Sequence, residues 1–290
     1  MRVLVTGCNG QVGHYLVEQL RGKVDLLSYS KEQLDITDQV AVFSIVSEFA
    51  PHYIINAAAY TAVDKAEQDV DLSYAINRDG PQYLAEAADR CGAVMLHIST
   101  DYVFDGDVDG SYTERDATAP QSIYGESKLA GEIAVAEACR RHLILRTAWV
   151  FGEHGSNFVK TMLRLGAERD ALSIVSDQVG GPTYAGDIAK ALITMIEFID
   201  AGKEPLWGIY HFSGAPYVSW YEFSRVIFDQ AESSQILDKK PLLKAIPTRE
   251  FPTPAKRPAN SRLNCDKIVQ QFGIKPSDWQ KALINIRNYK

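Results

Sequence analysis

No run in this 290-residue chain is long and apolar enough to cross a bilayer as a helix, so an integral helical membrane protein is excluded. Basic charge is in deficit. Against 37 Asp and Glu stand 30 Lys and Arg, giving a net charge of −7 and a pI near 5.4. That balance argues against nucleic acid or an anionic membrane as the main partner. Cysteine is scarce: Cys8, Cys91, Cys139 and Cys265 lie far apart and form no CxxC, so four buried free thiols in a reducing cytoplasm are expected. The six histidines show no paired ligand spacing, and no metal site is assigned. Internal repeats, low-complexity tracts and long like-charge runs are also missing. The opening MRVLVTG lacks the basic-then-apolar order of a signal peptide and reads as a strand. What is present is ordinary for a soluble globular chain, 46% hydrophobic and 23% charged, with length for one large domain or two modest ones.

Short β-rich apolar runs alternate with longer stretches of helical period. RVLVT (2–6), VDLLSYS (24–30), YIINAA (53–58), VMLHIST (94–100) and LILRTAWVF (143–151) read as strands covered on both faces. Residues 11–21, 39–49, 69–91 and 124–141 read as the helices between them. This alternation predicts an α/β fold with a doubly wound parallel sheet, its strand ends gathered on one edge. Residues 1–150 are read as a dinucleotide-binding domain, and 151–290 mainly as a smaller substrate lobe. Residues 185–201 and 209–213 look like a helix and strand returning to the first sheet. The Pro-rich run 239–263 reads as ordered loop.

The first strand ends in Thr6-Gly7-Cys8-Asn9-Gly10-Gln11-Val12-Gly13. Glycine serves where the backbone turns with positive φ and where a pyrophosphate must approach without a Cβ in the way. The helix that follows turns free N–H groups toward those phosphates. The spacing GxxGxxG is one residue longer than GxGxxG, a weak signal alone and a stronger one between a strand and a helix. At the end of the second strand, Ser28-Tyr29-Ser30-Lys31 replaces the acid that holds a ribose diol. A hydroxyl and an ammonium suit a 2′-phosphate, so NADPH is the expected cofactor. Asp35 and Ile36 can still contact the adenine and leave NADH open as a second donor.

HISTDYVFDG (97–106) puts Ser99, Thr100 and Asp101 at the end of the fourth strand, on the ligand edge. In SIYGESKLAGE (122–132), Tyr124 and Lys128 share one helix face. With 14 tyrosines, such a pair arises by chance about 0.7 times in a chain like this, so the spacing alone decides nothing. Its position after a glycine turn and a Thr100 strand end decides it. Carbonyl reduction needs a hydride on carbon and a proton on oxygen. Tyr124 is the expected proton donor, with the Lys128 cation lowering its pKa and holding the nicotinamide ribose, and Thr100 hydrogen-bonding the carbonyl.

TGxxGxxG, NAAAYTAVDKAE (56–67), AINRDGPQYLA (75–85), STDYVFDG (99–106) and YGESK (124–128) together resemble the extended short-chain dehydrogenases that act on nucleotide sugars. AVDKAE, Thr100, RTAWVFG (146–152), SDQVGGPTYAGDIA (176–189) and KRPANSRL (256–263) narrow the resemblance to the dTDP-4-dehydrorhamnose reductase family. It covers nearly the whole chain. The resemblance implies NADPH-dependent reduction of the 4-keto group of dTDP-4-dehydro-L-rhamnose in dTDP-rhamnose synthesis. It implies a cofactor lined by Gly10, Gln11, Val12, Asp35, Ile36, Ala58, Ala59, Tyr60 and Thr61. Thr100, Asp101 and Trp149 would then face the sugar, Trp149 by stacking, and Arg257 the substrate diphosphate. Some relatives dimerise around Mg2+ through an acid where this chain has Tyr15, so a metal-bridged dimer is not expected and a monomer or weak homodimer is. A nucleotide-sugar 4-epimerase or 4,6-dehydratase shares the glycine turn and the Tyr-Lys pair. Dehydratases usually carry Asp-Glu after the Thr, where Asp101-Tyr102 stands. A non-catalytic NADP-binding subunit, like the β subunit of methionine adenosyltransferase, is the reading from another class.

Overall fold

Alternate residues of the first-half strands point to opposite faces, and both faces are apolar. Val3, Val5, Ile55, Leu96, Leu143 and Leu145 enter one core, while Leu4, Ile54, Met95 and Ile144 enter another. A strand apolar on both faces stabilises only inside a sheet covered twice, which dictates helices above and below. A computed structural model describes residues 1–289; Lys290, the end of the expected second lobe, lies outside the described residues.

Six strands form one parallel sheet: β1 (Arg2–Thr6), β2 (Asp25–Tyr29), β3 (Tyr53–Asn56), β4 (Val94–Thr100), β5 (His142–Thr147) and β6 (Gly208–His211). Their order is β6-β5-β4-β3-β1-β2. Helices α1 (Gln11–Leu20) and α5 (Ala185–Asp200) cover the first core. On the other face lie α2 (Gln39–Phe49), α3 (Gly80–Cys91) and α4 (Ile123–Ala138). Chain order reverses between β1 and β3, and this switch point opens the crevice where such sheets bind ligands.

The elements differ from the sequence reading where long-range packing intervenes. The expected strand 143–151 stops at Thr147; Trp149 adopts φ +48°, and Val150–Phe151 pairs instead with Thr183–Tyr184. The expected helix 69–91 is three segments, Val70–Tyr74, a π-turn at Ala75–Asp79, and α3. The wide turn brings the Asn77 carbonyl against Gly131 of α4, where any Cβ would overlap it. α4 ends at Ala138, short of Arg141, and β3 ends at Asn56, short of Ala58. The Pro-rich run carries a strand, Leu242–Ile246, parallel to Ala171–Val175. Cys139 and Cys265 are buried, but Cys91 is exposed and Cys8 half-buried, so only two of the four thiols are enclosed.

Beyond β5 a further core gathers Phe151, Met162, Leu172, Phe223, Phe228, Trp279 and Ile286. Its helices are Phe158–Glu168 and Trp220–Ser233, the latter begun by a reciprocal cap between Ser219 and Glu222. A bridge of backbone hydrogen bonds joins Tyr112, in the segment after β4, to Leu263 in the second half of the chain.

Candidate active site

The glycine turn is compelled by two close approaches. Gly7 has φ +71°, and a Cβ there would lie 2.6 Å from the Ala58 nitrogen. A Cβ on Gly13 would overlap the Gly7 carbonyl, so α1 starts this close to the turn only with glycine there. Gly10 begins α1 without a side-chain cap. The first turn of N–H groups, through Gln11, Val12 and Gly13, therefore has no side chain satisfying it and suits a pyrophosphate. The buried Gln11 Oε1 has no partner among the described residues.

Between this turn, the end of β2 and the segment after β3 lies a cavity of about 400 Å3. Gly7, Gly10, Ser30, Lys31, Asp35, Ile36 and residues 58–61 line it. Tyr60 and Asn77 hold that last segment in place: the Tyr60 N–H donates to Asn77 Oδ1 at 2.9 Å, and Asn77 Nδ2 donates to the Tyr60 carbonyl and to Ser127 Oγ. Glu32 also lines the cavity and is absent from the sequence reading. The Ser30 hydroxyl donates to its carboxylate at 2.6 Å, so the hydroxyl expected to meet a 2′-phosphate is engaged by an acid. Lys31 stands exposed at the rim. Asp35 accepts from the Thr37 N–H and hydroxyl, while Ile36 is buried against Gly80.

Thr100 ends β4, register-paired with Thr147 of β5. Its hydroxyl accepts from the Tyr102 N–H at 3.3 Å, capping a turn at Asp101–Val103, and donates to Asp101 Oδ1 at 3.2 Å. α4 packs directly on this turn, because Gly125 has no Cβ to overlap the Tyr102 carbonyl. Ser122 and Glu67 accept from the N–H groups of Gly125 and Ile123 and start the helix there. Tyr124 and Lys128 thus both face inward, buried. Lys128 Nζ donates to the Ile98 carbonyl at 2.6 Å, two residues before Thr100. Glu132, one turn further, forms a buried bidentate pair with Arg146 of β5 and fixes α4 to the sheet.

Burial, not the lysine, dominates the phenol. Enclosure raises the Tyr124 pKa above the ordinary tyrosine value, opposed by the Thr100 hydroxyl and reinforced by Asp101. In the protein alone Tyr124 therefore rests protonated; the expected lowering drew on the oxidised nicotinamide's charge as well as on Lys128. The same enclosure pushes the Lys128 amine down to about 8, with Glu132 opposing it. Asp101, buried with Oδ2 unpartnered, is pushed up to about 6 by desolvation.

On the far side of the site the contacts span the two halves. Tyr102, not among the site residues expected from the sequence, sets its ring edge-on to Tyr124 at 5.3 Å. Arg257 donates to the Tyr102 hydroxyl at 3.2 Å and to Asp64 at 2.8 Å, so it sits beside the site with its charge already paired. Trp149 is half-buried and stacks on Trp220 at 3.5 Å between ring centres, against Gly180. Tyr15 donates to Glu153 and lies apart from these residues, on α1. Asn56 and His97 were also missed. Both are polar residues fully buried inside apolar strand runs, and that incongruity is the sequence signal that marks them.

The family model described as "RmlD substrate binding domain" matches residues 1–289. A dTDP-4-dehydrorhamnose reductase of Aggregatibacter actinomycetemcomitans is 53% identical over 290 residues, covering 99% of each chain. One from Sinorhizobium fredii is 45% identical over 283 residues, 97% of this chain and 95% of its own. The crystal structure of dTDP-4-dehydrorhamnose reductase from Bacillus anthracis in complex with NADP superposes with a TM-score of 0.91 at 40% identity, covering 100% of this chain and 99% of that one. The chain belongs to the dTDP-4-dehydrorhamnose reductase family of NAD(P)-dependent oxidoreductases.

Proposed function

We propose that this chain reduces the 4-keto group of dTDP-4-dehydro-L-rhamnose to give dTDP-L-rhamnose, with NADPH as hydride donor. The observation that carries this reading is Thr100 at the end of β4 with Tyr124 and Lys128 buried on α4 against that strand, on the same edge of the parallel sheet as the glycine turn that ends β1 two strands away. The bound nicotinamide supplies the hydride. Gly7, Gly10 and the first turn of α1 hold the pyrophosphate, residues 58–61 the cofactor's flank, and Ser30, Lys31, Asp35 and Ile36 its adenosine end. Because Glu32 occupies the Ser30 hydroxyl, a 2′-phosphate depends chiefly on Lys31.

As the substrate carbonyl gains a hydride on carbon, its oxygen becomes a strong base. Thr100 hydrogen-bonds that oxygen, and Tyr124, held protonated by burial, transfers its phenolic proton to it. The phenolate left behind is stabilised by the Lys128 ammonium, and solvent restores its proton. Trp149 stacks on the pyranose, and Asp101 accepts from the sugar through its unpartnered oxygen. Arg257 exchanges its half-exposed Asp64 pair for the substrate diphosphate, an exchange that costs little because such a pair is weak. The segment 151–290 supplies most of the remaining sugar-side surface.

The test is stoichiometry. With enzymatically made dTDP-4-keto-sugar, one NADPH is consumed per dTDP-rhamnose formed. Turnover without net NADPH loss indicates an epimerase, and binding of NADPH without turnover indicates a non-catalytic subunit; either result overturns the reading.

A further inference from the structure

A chain of buried hydrogen bonds runs from the glycine turn to Lys128, and its donors and acceptors can be assigned without choice. The Ala58 backbone N–H donates to Asn56 Oδ1 at 3.1 Å, and the Thr6 hydroxyl donates to the same oxygen at 2.7 Å. A backbone N–H cannot accept, so this oxygen is pinned and the Asn56 Nδ2 group is a donor. It faces His97 Nδ1 at 3.0 Å, which must then be the bare, accepting nitrogen. His97 is fully buried, and both desolvation and the Lys128 charge hold its pKa well below the ordinary value, so the ring is neutral. A neutral imidazole with a bare Nδ1 carries its proton on Nε2. That N–H points at Lys128 Nζ, 3.5 Å away.

We propose that His97 is a positioning residue: locked by Asn56 as the Nε2–H tautomer, it presents a donor to the Lys128 amine and biases that amine toward its uncharged, accepting form. An ammonium has only donors, so against this N–H it meets a like group, whereas the neutral amine accepts from it and still donates to the Ile98 carbonyl. The other groups around Lys128 are accounted for. From α4, Glu132 favours the charged form and Tyr124 is neutral; from β5, Arg146 is bound to Glu132; from the π-turn, Asn77 is bound to Ser127. From β4 come His97 and the Ile98 carbonyl, with the uncharged, buried Ser99 hydroxyl on the same strand face as His97. His97 and Glu132 therefore act in opposition on one amine. The consequence for turnover rests on the reductase reading, in which the charged Lys128 is the active form; the tautomer and the bias do not.

The experiment is NMR on the full chain without cofactor, with 15N-labelled histidine and 13C-labelled lysine, for wild type and His97→Gln. The glutamine can turn its carbonyl toward the ammonium. The expected result is a neutral His97 protonated on Nε2 throughout pH 6–10. The Lys128 titration rises by roughly one pH unit in His97→Gln, the worth of one hydrogen bond to a single protonation state, with surface lysines unmoved. A proton on His97 Nδ1 in wild type overturns the proposal even if the variant fails to fold, and so does an unchanged Lys128 titration. Alongside it, the high-pH limb of NADPH-dependent turnover moves up with the Lys128 titration. Wild type without turnover on the keto-sugar counts against the proposed function, and the NMR still decides the role of His97.

Discussion

The two sides of the crevice are built by different means. The side proposed to face the cofactor is made of close backbone approaches and buried hydrogen bonds between neighbouring strands, Gly7 on Ala58 and Thr6 on Asn56. The side proposed to face the sugar is assembled from distant, half-exposed side chains: Arg257 on Asp64, 193 residues apart in sequence, and Trp149 on Trp220. A rigid cradle suits a group that is always the same. Adjustable side chains from a second core suit a substrate that must enter, turn and leave.

That contrast gives substitutions distinct signatures. The largest effect is expected at the junction of the two sides: Lys128→Met lowers kcat/KM by about 10³-fold and also weakens NADPH binding, read by steady-state kinetics and cofactor titration. On the cradle, Gly7→Ala forces a Cβ onto Ala58 at positive φ and is expected to weaken NADPH binding about 100-fold, measured by calorimetry. Should Gly7→Ala spare cofactor binding, the rigid-cradle half of the comparison fails. Asp101→Asn tests a charge buried between the sides. The raised carboxyl pKa means that its stabilising protonated form is complete below about pH 4 and lost as pH rises through about 6. Asparagine should therefore raise stability by on the order of 3 kcal/mol at pH 7.5 and by almost nothing at pH 4, read by denaturant unfolding at both. The smallest effect belongs to the adjustable side: Trp149→Ala raises the KM for the sugar nucleotide about tenfold with kcat and NADPH binding nearly unchanged.

The same contrast explains what the sequence made legible. The sheet could be read from its strand runs because strands buried on both faces leave a local, continuous apolar record. Gly7, Gly10 and Gly13, and the Tyr124–Lys128 spacing, are likewise local. The direction of the Tyr124 pKa was not, because it depends on burial reinforced by Asp101 and Tyr102, which outweighs the Thr100 hydroxyl and arises where the chain turns after β4. Glu32 stood two residues from Ser30 but points into the cavity only because the turn after β2 folds back. The end of β5 at Thr147 is set by Trp149 turning to meet Trp220, a partner 71 positions along the chain that no local pattern names. The Arg257–Asp64 pair is hidden for the same reason.

The most direct measurement is single-turnover loss of NADPH absorbance with dTDP-4-keto-sugar, for wild type and Tyr124→Phe. Removing one buried phenol is predicted to slow the reaction by about 10²–10⁴-fold while NADPH binds as before. A Tyr124→Phe protein that oxidises NADPH at the wild-type rate would contradict the account.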